Sequence, residues 1–390
     1  MPNGAKVLDL KDRTAVPGLV GMHEHLFYST DGGKRDVLVE RSFSRLYLAA
    51  GITTIRTAGA LSLDGDRLAR ERIESGEWPG PEIHLTSPYI NHPEDPSPDK
   101  VAARIDDWAE KGVTWLKVYA LINRAELATV VRAAHNRGLK VTGHLCAVGF
   151  REAIALGIDN LEHGLLVDTE FYRGRTPDTC AEQKVVLPEL NEIDVKGPEV
   201  QQLIKELVER RVAITSTLAI FEAFTGNQFH LDPRMQQVLT PRAYQACLSQ
   251  IASDEKNRSW VVWWQPLLKK EMAFELEFVR RGGTLLAGVD PTGWGGVVAG
   301  FGDQRQLELL VHAGFSPEEA IRIYSLNGAE FLGQAQRIGT LEVGKQADIV
   351  ILLGNPAADI SHIRRVEIVF KKGIGYDPEK LINSVAGTVG

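Results

Sequence analysis

The sequence holds little that would tie it to a membrane or to nucleic acid. No apolar run approaches the ~20 residues that a membrane-spanning helix needs. No basic-then-apolar leader stands at Met1, so no signal peptide is visible. Lys and Arg number 44 against 51 Asp and Glu, a net charge of -7, which leaves no basic excess for a phosphate backbone. The three cysteines, Cys146, Cys180 and Cys247, form no CxxC and leave one over, which fits a reducing compartment. These scarcities predict neither a membrane nor a nucleic-acid partner. What is present, 390 residues with 44% hydrophobic and 24% charged content, suffices for one large α/β barrel and a small satellite, or for two ordinary domains.

From Gly18 onward, apolar strand-like runs alternate with amphipathic helical ones. Strands are predicted at 18–23, 53–57, 82–86, 115–119, 140–144, 160–164, 212–217 and 284–290. Helices are predicted at 34–50, 97–111, 124–137 and 149–156, with Ser97-Pro98-Asp99 as a start and Gly112 and Gly138 as stops. Eight strands in βα alternation point to a (β/α)₈ barrel over residues 17–334; an open doubly wound sheet is the alternative. Two stretches break the rhythm, about 165–198 and 219–270, each placed after a strand and so at the C-terminal mouth. The second carries Phe221, Phe224, Phe229, Trp260, Trp263 and Trp264, read either as a small satellite core or as an aromatic lid or oligomer contact. Ser316 and Glu319 form a capping box for a further helix. Residues 1–16 and 335–390 are expected to join as a small β-sheet satellite, with strands near 5–16, 338–353 and 366–370.

The run LVGMHEH at Leu19–His25 organises the functional reading. On a strand, His23 and His25 leave the same face while Glu24 points away. Two imidazoles on one face suit a divalent transition metal. Lys117 lies in WLKVYA, a strand end with no other charge; a buried amine loses its proton readily and can take up CO₂ as a carbamate. His144 in KVTGHL, His163 in NLEHG and Asp290 in LLAGVD end three later strands. In a closed barrel all these ends meet at one mouth, and six ligand-type side chains there are most simply read as a site for two divalent metals, zinc by the donor set.

These stretches, PGLVGMHEH, WLKVYA, VTGHL, LEHG and LLAGVD, resemble the amidohydrolase superfamily, in the subtype whose carboxylated lysine bridges two metals. The tail IGTLEVGKQADIVIL looks like that family's return into its N-terminal β-sandwich. The segment DQRQLELLVHAGFSPEEAI looks like the prolidase-like branch, with its Xaa-dipeptidases, N-acyl amino acid hydrolases and ochratoxin-type amidases. Imidazolonepropionase-like enzymes share the HxH and the tail but lack the bridging lysine, so Lys117 argues against them. Family members carry a longer N-terminal segment than the 22 residues before His23. The sandwich is therefore expected to be reduced, or the natural beginning to be missing. The expected location is cytoplasmic, or secreted or periplasmic if a leader once preceded.

The resemblance implies His23, His25 and Asp290 on one metal, His144 and His163 on the other, and Lys117 between them. It implies a metal-bridging hydroxide as nucleophile and Asp290 as the proton shuttle. Tyr119, two residues past Lys117, is read as a hydrogen-bond donor to the oxyanion or to a substrate carboxylate, or else as packing at the mouth. The function implied is hydrolysis of an amide bond in a dipeptide or N-acyl amino acid, with lactone or cyclic amide opening as the alternative. The partner is a small-molecule amide, and a homo-oligomer is expected. Arg151, Arg173, Arg175, His92 and His230 are candidate partners for a substrate carboxylate.

Overall fold

The apolar runs become parallel strands because each is covered on both faces. In chain order the strands are β1 Arg13–Pro17, β2 Leu19–Glu24, β3 Phe27–Thr30, β4 Arg35–Leu38, β5 Ile52–Thr57, β6 Glu82–Ile90, β7 Val113–Val118, β8 Lys140–Gly143, β9 Asn160–Glu162, β10 Ala213–Ser216, β11 Leu285–Ala287, β12 Ile349–Leu353, β13 Val366–Lys371 and β14 Ile374–Tyr376. The computed structural model describes residues 8–94, 96–226, 231–256 and 258–390. The predicted strand start at residues 5–7, together with Phe229, His230 and the Trp260 side chain, lies outside what is described.

Eight strands, β2, β5, β6, β7, β8, β9, β10 and β11, follow one another in a parallel barrel in that order. Every residue of β2 and β5 is buried. The circle is drawn shut where the chain beyond β11 meets β2, with the Asp290 N–H donating to the His23 carbonyl at 3.0 Å. A Cβ at Gly288 would lie 2.3 Å from the His23 nitrogen, so only glycine permits that approach. The helices between strands cover the outside, among them Pro98–Glu110 and Arg124–His135, the latter capped by an Asn123/Glu126 box. Ser316 and Glu319 form their capping box as the sequence leads one to expect.

A four-stranded antiparallel sheet in the order β1-β12-β13-β14 joins both parts of the chain into a satellite. Its first strand lies at Arg13–Pro17, later than the strand-like Ala5–Leu10. Within the described part of that stretch, Leu8 and Leu10 are exposed, whereas Val16 is buried and pairs with Val350. Alternation that buries nothing does not hold a strand. The predicted helix 34–50 begins only at Glu40, because Arg35–Leu38 turns back as a hairpin on Phe27–Thr30.

Two of the three cysteines are paired, where their number and spacing led one to expect a reducing compartment. Cys146, just after β8, and Cys180, in the long segment after β9, form a disulfide with Cα atoms 4.9 Å apart. Loops 34 residues apart in sequence meet because both leave the same end of the barrel. Cys247 is free and buried. Alkylation of the protein in denaturant should therefore modify one thiol per chain without reductant and three with it. Three labels without reductant would remove the bridge.

Candidate metal centre

The six ligand-type residues, His23, His25, Lys117, His144, His163 and Asp290, and with them Tyr119, line one cavity of about 220 Å³ at the C-terminal mouth. Atoms of His23, His163 and Asp290 that could ligate a metal lie within 4.8 Å of one another. Asp290 Oδ1 stands 3.2 Å from His25 Nε2 and 3.6 Å from His23 Nε2, and its Oδ2 3.9 Å from His163 Nδ1. The His144 ring centre is 4.5 Å from that of His163. Two of these residues sit in the left-handed region, His163 at φ 70° and Asp290 at φ 49°. Such backbone costs of order 1 kcal/mol or more and persists where a site demands it. At His163 it has a visible effect: consecutive strand residues ordinarily face opposite ways, yet Glu162 and His163 both reach into the barrel.

The imidazoles are oriented from behind. His23 Nδ1 donates to Glu162 Oε2 at 2.7 Å and His25 Nδ1 to the Gly59 carbonyl at 3.2 Å, so both turn Nε2 to the cavity. Burial, and next the charge on Lys117, pushes His144 down to about 3, keeping it in the neutral form that binds metal. Glu162 is gripped in turn by Arg56, whose Nη2 lies 2.5 Å from Oε1 and whose Nη1 donates to Asn160 Oδ1 at 2.7 Å. Burial alone would raise the Glu162 carboxyl, but Arg56, His23 and Lys117 hold it well below the ordinary carboxylate range. Arg56 also lies over the Trp115 ring, 4.9 Å from its centre.

The donor set fits divalent metals by one further observation. Lys117 is 1% exposed, and its Nζ has no hydrogen-bond partner among the described residues. The nearest carboxylate oxygen, on Glu162, is 4.0 Å away. An amine left so deep without a hydrogen bond is costly as it stands. A carbamate facing metal ions would relieve that cost.

Of the residues at this site that were not foreseen, two bear most directly on it. Glu162 is one. Tyr89 is the other: β6 runs on past Thr86, Tyr89 pairs in register with Lys117, and its ring meets Tyr119 at 4.9 Å between centres. The candidate carboxylate partners are placed elsewhere. Arg151 is held by Glu170 at 2.7 Å, Arg175 by Glu152, and His92 by Glu126 at 3.1 Å; none of them, nor exposed Arg173, lines the cavity. His92 lines a separate cavity of about 600 Å³ that shares Tyr89 but holds none of the ligand-type residues. The aromatic segment does reach the site: Phe221, Phe224 and Trp264 form part of the lining.

A profile described as "Amidohydrolase family" matches residues 14–258 and 271–374, most of the chain. The chain belongs to the amidohydrolase family. It is accordingly a hydrolase of carbon–nitrogen bonds. Its fold is similar to that of a Xaa-Pro dipeptidase solved with bound methionine, at 20% identity over 97% of this chain and 90% of that one, with a TM-score of 0.68. It is also similar to a bottromycin amidohydrolase, at 21% identity over 95% and 78% and a TM-score of 0.72. A third is A. niger ochratoxinase, at 18% identity over 93% and 83% and a TM-score of 0.63. A curated imidazolonepropionase from Syntrophobacter fumaroxidans (strain DSM 10017 / MPOB) matches at 45% identity over 49 residues, 13% of this amidohydrolase and 12% of that protein.

The Arg56–Glu162 pair yields a prediction of its own. Both side chains are 0% exposed. Removing one partner of a buried pair leaves the other charge stranded, at ~3–5 kcal/mol, whereas removing both costs less. Glu162→Gln should therefore lower unfolding stability of the metal-free protein by about that much, and Arg56→Met on top of it should recover part. Zinc affinity of Glu162→Gln should fall ~10–100-fold, since His23 loses its anionic partner. Additive losses in denaturant titrations would refute the coupling.

Proposed function

We propose that this amidohydrolase cleaves the amide bond of a dipeptide or N-acyl amino acid at a two-metal centre held by His23, His25, His144, His163, Asp290 and carboxylated Lys117. The observation that carries the reading is the Lys117 amine, buried without a hydrogen-bond partner among the described residues in the same cavity as the other five residues. When bound, the metals, zinc by the donor set, supply a Lewis acid and bring the pKa of water toward ~7. The chain's own groups do the rest. Asp290 accepts the proton of the attacking water and returns it to the leaving nitrogen. Tyr119 and Tyr89 are phenols on the cavity wall and can donate to the oxyanion or to a substrate carbonyl. Glu162 and the Gly59 carbonyl hold His23 and His25 in orientation. The dipeptidase and ochratoxinase neighbours favour an open-chain amide, and they lend that support through fold alone. The disulfide favours an oxidising compartment, secreted or periplasmic, over the cytoplasm.

The test is a screen of metal-loaded protein against dipeptides, N-acyl amino acids and lactones, reading free amine and ring opening. Release of amino acid from some open-chain substrates, with lactones untouched, is expected. Turnover of lactones alone would replace the reading.

A further inference from the structure

We infer that Phe221, Phe224 and Trp264 form a box for an uncharged aromatic or branched aliphatic group flanking the scissile amide. The inference deepens the amide-hydrolysis reading and rests on it. Phe221 stands 6.0 Å from His163 between ring centres, so the box begins at the candidate ligands themselves. It stacks on Trp264 at 5.7 Å with 19° between planes, and Phe224 meets Trp264 at 4.9 Å. Leu166, Val167 and Ile220 complete the apolar wall.

The box sits on anchored elements. The helix Leu218–Ala223 follows β10 directly, and its Ala219 N–H donates to Gln306 Oε1 at 2.8 Å. Trp264 lies on the helix Arg258–Arg280, which is tied to neighbouring segments where Glu271 accepts from the Leu166 N–H at 2.9 Å and Lys270 Nζ donates to the Ile193 carbonyl at 2.5 Å. A wall held in this way selects by shape and does not collapse onto any occupant.

Charge decides what the box takes. Among the described residues no arginine lines the cavity, and the one lysine is Lys117. A carboxylate would have no arginine to pair with in this cavity, would face the negative side of the aromatic quadrupoles, and would be drawn off the rings toward the loaded centre itself. A cationic group would suit aromatic faces, but it would lie beside a centre that carries positive charge once loaded. Neutral groups alone escape both costs. The phenols Tyr89 and Tyr119 come from β6 and the end of β7, several strands round the barrel from the box after β10. An amide lying across the centre would thus meet hydroxyls on one side and apolar rings on the other. Either the acyl part or the amine part can supply the neutral group, and the experiment has an arm for each.

Metal-loaded protein is assayed for kcat/KM on acetyl-, isovaleryl- and benzoyl-glycine, and on acetylated glycine, leucine, phenylalanine, lysine and glutamate. One series should rise at least ~10-fold from the smallest to the ring-bearing member, as apolar pockets discriminate by ~10–200-fold per group. Phe224→Leu and the milder Trp264→Phe, each checked for an unchanged circular dichroism spectrum, should compress that rise to a few-fold. Flat series, a preference for lysine or glutamate, or variants that lower every substrate equally would overturn the box. If no amide turns over, the amide-hydrolysis reading fails. Calorimetric titration of the protein with benzoyl- against acetyl-glycine then decides the box alone: tighter binding of the aromatic compound upholds it, and equal binding ends it.

Discussion

Lys117→Ala should bring amide hydrolysis below detection and reduce the metal retained after dialysis, and short carboxylic acids added to the variant should restore part of both. The side chain is 1% exposed, and its amine has no hydrogen-bond partner among the described residues. Burial pushes that amine down to about 8, with the Glu162 carboxylate pulling the other way, so a neutral, nucleophilic nitrogen is within easy reach near neutral pH. In the carbamate step the nitrogen lone pair forms a bond to the carbon of CO₂, one C–O π bond opens to an oxyanion, and the nitrogen releases a proton. The product is a carboxylate on a long arm, where a bare ammonium would only repel the metals. A small acid diffusing into the space left by alanine can supply the same two oxygens, which a purely structural lysine would not permit. Metal analysis and turnover are measured with and without added acid. Near wild-type turnover of the variant, or loss of metal with no recovery by acid, would sink the bridging role. Metal-free protein depleted of bicarbonate should likewise need both CO₂ and metal to regain activity.

Most of what positions these groups is local, and so it can be read from sequence. A parallel strand buried on both faces is a continuous apolar run, and eight such runs spaced by helix-length segments admit few other folds. A ligand-type residue at the end of a run inherits its position from the barrel, which is why His23, Lys117, His144, His163 and Asp290 could be named together. Glu162 escaped because strand alternation turns it away from its neighbour His163; the φ of 70° at His163 cancels that alternation, and no local pattern announces it. Tyr89 escaped because Pro88 reads as the end of a strand, whereas β6 continues beside β7 through Ile90. The arginines at the mouth misled for a different reason. Arg151 and Arg175 belong to ion pairs with Glu170 and Glu152, and Glu170 lies beyond Arg151 by a whole strand and turn. Pairing at that range is fixed by the assembled mouth and leaves no trace in local spacing. The disulfide belongs to the same class, since only the closed barrel brings Cys146 to Cys180.

Asp290→Asn should cut turnover by ~10²–10⁴-fold or more while at least one metal stays bound. The substitution is a narrow one. Asp290 lies at φ 49°, a region that asparagine tolerates as well as aspartate, so the backbone beyond β11 is not asked to move. The Thr292 hydroxyl donates to Oδ1 at 2.7 Å and can still donate to the amide oxygen of asparagine. That oxygen still faces His25 Nε2, 3.2 Å away in the present structure, so one oxygen remains for metal. What is lost is charge and basicity. Burial works to raise the Asp290 carboxyl, but His23, His25 and His163 outweigh it and hold it well below the usual carboxylate range, so it is ionised at neutral pH. An amide oxygen cannot take that proton from water and hand it to a leaving nitrogen. Metal content, circular dichroism and turnover are measured on the same preparation, so that a fall in rate with metal and fold retained isolates proton transfer. A variant that keeps near wild-type turnover would place the shuttle elsewhere on the cavity wall, where Tyr119 and Tyr89 carry the remaining phenols. A variant that loses every metal would show that Asp290 acts first as a ligand, and its proton-transfer role would then fail this test.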